Sequence, residues 1–223
     1  MKEKIFALIA VLSLLGILAI KQIEQSRSGN EVRDGNDTNK KENNTKDRAR
    51  HRTPPVIFYA PGQRPVAPSF ELPLLQGGTL NSSSFKDKVV MINFWATWCP
   101  PCIDELPSLE ILDEQIKDKD FLLVTINVDK DKTAAARLLS RLVDMPGGKV
   151  PGYIIALDPS GKLAASYGTT KFPETYLVGP NGRILVKFIG PRNWDRPIYI
   201  KLIRSVLASG TTPSMAPMGG TRP

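Results

Sequence analysis

The apolar residues of this chain fall into one long run, one long gap and then a series of short, evenly spaced runs. The short runs start near Val66. Val89 to Trp95 is almost continuously apolar, as a central strand covered on both faces must be. Leu106, Leu109, Ile111, Leu112 and Ile116 follow at helical spacing, so residues 100–117 are predicted helical, with a kink at Pro107. Phe121 to Asn127 is a second buried strand. Lys132 to Val143 is rich in good helix formers, Tyr153 to Leu157 reads as a short strand, and Lys162 to Tyr167 as a short helix ended by Gly168. Thr175–Val178 and Arg183–Phe188 flank an Asn-Gly turn and read as a hairpin. Ile198, Leu202, Ile203, Val206 and Leu207 give residues 194–208 one apolar side. Upstream, Phe70–Leu72 and Gly78–Leu80 suit a small extra hairpin. The order β-α-β-α-β-α-β-β-α predicts an α/β domain, a mixed sheet with helices on both faces.

The long apolar run is Ile5 to Ile20, between Lys4 and Lys21. As a helix it rises about 24 Å, short of a hydrocarbon core of about 30 Å. Snorkelling by the flanking lysines, with Ile23 added, extends its reach. Residues 1–23 are therefore expected to be an uncleaved signal anchor. A cleaved secretory signal is the alternative, although Leu18-Ala19-Ile20-Lys21 lacks the small residues of a cleavage site. Either one exports the remainder of the chain. Residues 24–65 are charged and Asn-rich with few large hydrophobes, which predicts a disordered tether with a typical span of roughly 35–40 Å. Residues 209–223, dominated by Gly, Pro, Ser and Thr, are predicted to be a disordered tail. The domain proper is expected at 66–208.

Charge changes this picture little. The net charge of +8 divides into +4 for residues 1–53 (11 Lys+Arg against 7 Asp+Glu) and +4 for the rest. No Lys/Arg stripe results, so no nucleic-acid partner is expected. The single histidine, His51, sits in the tether, away from any site.

Chemistry concentrates in Ala96-Thr97-Trp98-Cys99-Pro100-Pro101-Cys102, which holds both cysteines of the chain. Zinc needs four ligands, and two cysteines with one remote histidine do not supply them. A structural disulfide closing so small a loop removes little chain entropy. The pair also falls where a buried strand becomes a helix. There the unpaired N–H groups and the dipole of the helix stabilise a thiolate, which suits Cys99 as the attacking sulfur. Cys102 lies one turn on, on the same face. Pro100 and Pro101 fit the first turn, and Trp98 can shield the nucleophile. No cofactor or metal is expected.

Asn93-Phe94-Trp95-Ala96-Thr97-Trp98-Cys99-Pro100-Pro101-Cys102, with Pro107 beyond, resembles the thioredoxin superfamily, and within it the membrane-anchored TlpA/ResA/CcmG group of extracytoplasmic thiol–disulfide oxidoreductases. Phe172-Pro173-Glu174-Thr175-Tyr176-Leu177-Val178 matches that group's Pro-Glu-Thr segment, and Ala67-Pro68-Ser69-Phe70 its domain start. The resemblance implies a thioredoxin-like mixed sheet flanked by helices, with an N-terminal extension hairpin and a central helical insertion. It implies a redox disulfide between Cys99 and Cys102, and a cis Pro173 facing it. Two acids are singled out: Glu105, expected beneath the thiols where its raised pKa lets it move the resolving proton, and Glu174 beside Pro173. The competing reading for each is a solvated carboxylate. Thioredoxin carries an aspartate where this chain has Asn93.

For function, the resemblance implies a reductant on the periplasmic side of a bacterial inner membrane. Its donor would be a membrane thiol-transfer protein, and its substrate apocytochrome c or another exported disulfide protein. A dithiol oxidant or isomerase is the alternative, although such proteins usually carry a histidine between the cysteines. A peroxidase needs only one low-pKa cysteine and leaves the Cys-x-x-Cys pair unexplained. A copper chaperone needs a wider cysteine spacing and a downstream histidine.

Overall fold

The computed structural model describes residues 54–143 and 151–212. The apolar run at 5–20, most of the proposed tether and all but the start of the tail lie outside these residues. Among the described residues no helix is long and apolar enough to cross a membrane.

Twelve elements follow in chain order: β1 (Val56–Phe58), β2 (Glu71–Pro73), β3 (Thr79–Asn81), β4 (Val89–Trp95), α1 (Pro100–Ile116), β5 (Phe121–Asn127), α2 (Ala134–Val143), β6 (Ile154–Leu157), α3 (Lys162–Ser166), β7 (Glu174–Val178), β8 (Ile184–Ile189) and α4 (Pro197–Ser209). Six strands form one sheet in the order β1-β8-β7-β4-β5-β6. β4, β5 and β6 run parallel, while β7 and β8 return antiparallel beside β4. The expected α/β alternation is present. β4 is buried along its whole length because the sheet is covered twice. One face packs Leu106, Leu109 and Leu112 of α1, Leu139 of α2, and Leu202, Ile203 and Val206 of α4. The other packs Leu163 and Ala164 of α3 with Leu80 of the β2–β3 hairpin. That hairpin turns through Gly77 and Gly78, both at positive φ, a conformation that costs glycine no steric penalty.

The sequence reading needs two corrections here. Residues 54–65 were expected in the tether, yet Val56–Phe58 pairs antiparallel with Val186–Phe188. Val56-Ile57-Phe58 is an apolar run too short to stand out beside the charged segment before it. Along the helices, Ile111 and Ile198 were placed on the apolar sides but remain 39% and 40% exposed. Helix α1 continues through the exposed Pro107 without interruption.

Candidate active site

Strand register brings the two motifs together. Phe94 of β4 pairs with Glu174 of β7, so Cys99 beyond the end of β4 and Pro173 just before β7 meet at one end of the sheet. The Phe172–Pro173 bond is cis. Trp98 stands 63% exposed, its ring edge-on to Phe172 at 5.6 Å between centroids. This end is also the carboxyl end of the parallel strands, where α/β sheets carry their sites.

Cys99 and Cys102 are joined in a disulfide, with 5.3 Å between their Cα atoms. Cys99 is the N-cap of α1. Its carbonyl accepts from the N–H groups of Cys102 (3.0 Å) and Ile103 (3.2 Å). Both cysteines are buried, Cys99 at 5% exposure and Cys102 at 0%. Pro100 and Pro101 occupy the first two helical positions and carry no N–H. They withhold two of the donors that otherwise favour a thiolate at a helix start.

The turn before Cys99 rests on Asp129, a residue the sequence reading missed. The Thr97 N–H donates to Asp129 Oδ2 at 3.0 Å, the Thr97 hydroxyl donates to Oδ1 at 3.1 Å, and Asn127 Nδ2 donates to Oδ2 at 2.7 Å. Asn127 is the last residue of β5 and pairs with Trp95, the last of β4. A polar Asn-Val-Asp ending a buried strand was the available signal.

Glu105 sits three residues after Cys102 on the same buried face of α1, 2% exposed. Its Oε1 accepts from Asn93 Nδ2 at 2.7 Å. Its Oε2 accepts from the backbone N–H of Arg192 at 3.0 Å and the indole N–H of Trp194 at 3.2 Å. Burial pushes its pKa up to about 7, against the pull of these donors and of the Arg192 charge. The Arg192 guanidinium itself is directed at the carbonyls of Pro54, Pro55, Gly190 and Pro191, and burial lowers its pKa. Of the two readings of Glu105, the buried one is what the fold contains. A carboxyl with a pKa raised to about 7 thus sits one helical turn after Cys102.

Glu174 is not brought to this group. Alternation along β7 turns it, with Tyr176, to the opposite face of the sheet. There its Oε2 meets Lys187 Nζ at 2.8 Å and the Tyr176 hydroxyl at 3.0 Å. The Tyr176 phenol is pushed up, chiefly by burial. Adjacency in sequence to Pro173 was the only signal, and a strand sends neighbouring side chains to opposite faces.

Known proteins resemble this chain in both sequence and fold. The Redoxin family model matches residues 29–203. The thiol:disulfide interchange protein CycY of Rhizobium leguminosarum bv. viciae is 38% identical over 112 residues, covering 50% of this chain and 55% of its own. The thiol–disulfide oxidoreductase ResA of Bacillus thuringiensis (strain Al Hakam) is 30% identical over 58% of this chain and 71% of its own. This chain thus spans about half of CycY and somewhat more of ResA. A crystal structure of a DsbF homologue from Corynebacterium diphtheriae superposes with a TM-score of 0.55 at 26% identity, covering 66% of this chain and 90% of that one.

Proposed function

The chain belongs to the Redoxin family and carries a thiol–disulfide exchange centre at Cys99 and Cys102, and from that premise we propose that it is a reductant of specific protein disulfides outside the cytoplasm. The observation that carries the reading is the Cys99–Cys102 disulfide at the start of α1, with the buried Glu105 one turn below.

In the reduced protein the Cys99 thiolate attacks one sulfur of a partner disulfide, and the partner's other sulfur leaves as a thiolate. Cys102 then gives its proton to Glu105 and attacks Cys99. The mixed disulfide breaks, the partner departs as a dithiol, and two electrons have moved to it. The exposed Trp98 and the Phe172–Pro173 backbone form the surface on which an extended partner segment lies.

The two prolines support this direction. An oxidant of this class is strong because its reduced form is stabilised. Pro100 and Pro101 remove two N–H donors from the place where a Cys99 thiolate would use them, which weakens that stabilisation of the reduced form. The extracytoplasmic site and membrane attachment rest on the sequence, on the apolar run at 5–20 and the polar segment after it. A membrane thiol-transfer protein as donor and apocytochrome c as substrate follow from the family resemblance.

The full chain in detergent, charged by a thiol donor, is expected to reduce a protein disulfide, and Cys99→Ser to abolish this. Activity surviving that substitution would sink the reading. Equilibration with thiol buffers is expected to give a potential at or below that of thioredoxin, about −270 mV. A value close to that of the strong oxidants, about −120 mV, would reverse the direction.

A further inference from the structure

Asn93 is fully buried, at 0% exposure, and lies directly opposite Thr175 in the β4–β7 register. Its Nδ2 donates twice, to Glu105 Oε1 at 2.7 Å and to Thr175 Oγ1 at 2.9 Å. Its Oδ1 has no hydrogen-bond partner among the described residues. A buried amide oxygen left unpaired is rare and unfavourable. Donation from Nδ2 to Oε1 favours the ionised carboxylate, which accepts and does not donate.

The two oxygens of Glu105 are not equivalent. Oε2 already accepts two N–H groups, from Arg192 and Trp194, whereas among the described residues Oε1 accepts only from Asn93. A proton arriving at this carboxyl finds its open position on Oε1, the oxygen that Asn93 faces. The Thr175 hydroxyl accepts from the same Nδ2 at 2.9 Å and braces the amide in that position.

We propose that Asn93 is a positioning residue for the resolving proton: its amide, braced by the Thr175 hydroxyl, favours Glu105 as an ionised acceptor and so sets the pH at which Oε1 takes that proton. During exchange, Cys102 loses its proton to Oε1 as its sulfur attacks Cys99. The proton leaves Oε1 again when the pair is next reduced. The Thr of the Pro-Glu-Thr segment thereby gains a role distinct from that of the proline. Among the described residues, the Arg192 guanidinium, from the loop after β8, acts on Glu105 through its charge, and Glu105 acts likewise on the Tyr153 phenol. The cysteine pair lies on α1 itself. The proposal rests on Glu105 accepting the proton of Cys102, and the test separates the two.

The indole N–H of Trp194, bonded to Glu105 Oε2, reports the state of the carboxyl. In the oxidised full chain its ¹⁵N resonance, assigned through Trp194→Phe, is followed from pH 4 to 9. In the parent protein it is expected to titrate with a midpoint near 7, and in Glu105→Gln not at all. Asn93→Leu removes the donor on Oε1 and is expected to raise the midpoint by about one pH unit. Asn93→Asp, equal in size, sets a second carboxyl against Glu105 and is expected to raise it further, in two coupled steps. The rate of protein-disulfide reduction by the reduced enzyme is expected to shift along the pH axis by the same amount. An unmoved midpoint in a folded Asn93→Leu, or in Asn93→Asp should the leucine variant not fold, overturns the proposal. A midpoint that moves while the exchange profile stays still overturns it through the role of Glu105 instead.

Discussion

Glu105 and Glu174 are equally buried, at 2% and 1% exposure, and lie on opposite faces of one sheet. Neutral donors surround Glu105: an amide, a backbone N–H and an indole N–H. The nearest cation, Arg192, spends its guanidinium on four carbonyls. Glu174 faces an ammonium at 2.8 Å, and that ammonium is held in turn by the Gly168 carbonyl. Burial alone therefore does not make an acid useful. Glu105, ringed by neutral donors, has a pKa raised to about 7, whereas Glu174 is tied to a buried cation on the far face of the sheet.

The strongest way to break this contrast is to take the cation away. Lys187→Met leaves Glu174 buried without its partner, and losses of about 3–5 kcal/mol are typical of such broken pairs. Guanidinium unfolding of Lys187→Met is expected to show a loss of that size. Lys187→Met combined with Glu174→Gln is expected to recover most of it, because no charge then remains buried. A single variant as stable as the parent would mean that Glu174 is no more committed to the fold than Glu105.

For Glu105 the lever is pH. Its folded pKa of about 7 lies above the ordinary value of 4.5, so between those limits the folded chain binds more protons than the unfolded one. The stability this supplies is fully present below pH 4.5 and is lost as pH rises through 7. At 1.36 kcal/mol per unit, the total approaches about 3 kcal/mol. Unfolding of the parent is expected to show that decline between pH 5 and 8, and Glu105→Gln to flatten it. A decline that persists in Glu105→Gln would place the titrating group elsewhere.

Much of this contrast could be read from the chain, and the missing parts are instructive. The β4 and β5 runs, the helix after Cys99 and the Asn-Gly hairpin were legible because apolar periodicity is a local property. Glu105 was legible as a candidate from its three-residue spacing after Cys102. Its partners were not. Arg192 and Trp194 are 87 and 89 residues away, in a Gly-Pro-Arg-Asn loop with no periodicity. They reach Glu105 only because α4 and α1 share a face of the sheet. Glu174 was misplaced for the converse reason: proximity in sequence to Pro173 reads as proximity in space, but the pleat of β7 sends it away. The first strand was lost in the tether because β1 is held by its pairing with β8 and has no burial pattern of its own.

Asp129 gives the smallest and most discriminating test, because it is a third buried acid of an intermediate kind. Like Glu105 it accepts, among the described residues, only from neutral donors, Thr97 and Asn127. Unlike Glu105 it shares no hydrogen bond with Asn93, Arg192 or Trp194. The Thr97 donors come from the turn that carries Cys99 and the Asn127 donor from the end of β5, so its work is to hold backbone in place. Asp129→Asn keeps one acceptor oxygen and turns an N–H toward a donor, which is expected to remove about 1–2 kcal/mol of stability. At this chain length that corresponds to a fall in Tm of roughly 2–8 °C. The looser turn is expected to change the rate at which reduced Cys99 is alkylated, while the Trp194 titration midpoint stays where it is in the parent. Should that midpoint move with Asp129→Asn, the turn and the proton site would be one coupled network, and the distinction between an acid that positions and an acid that transfers would fall on this face of the sheet.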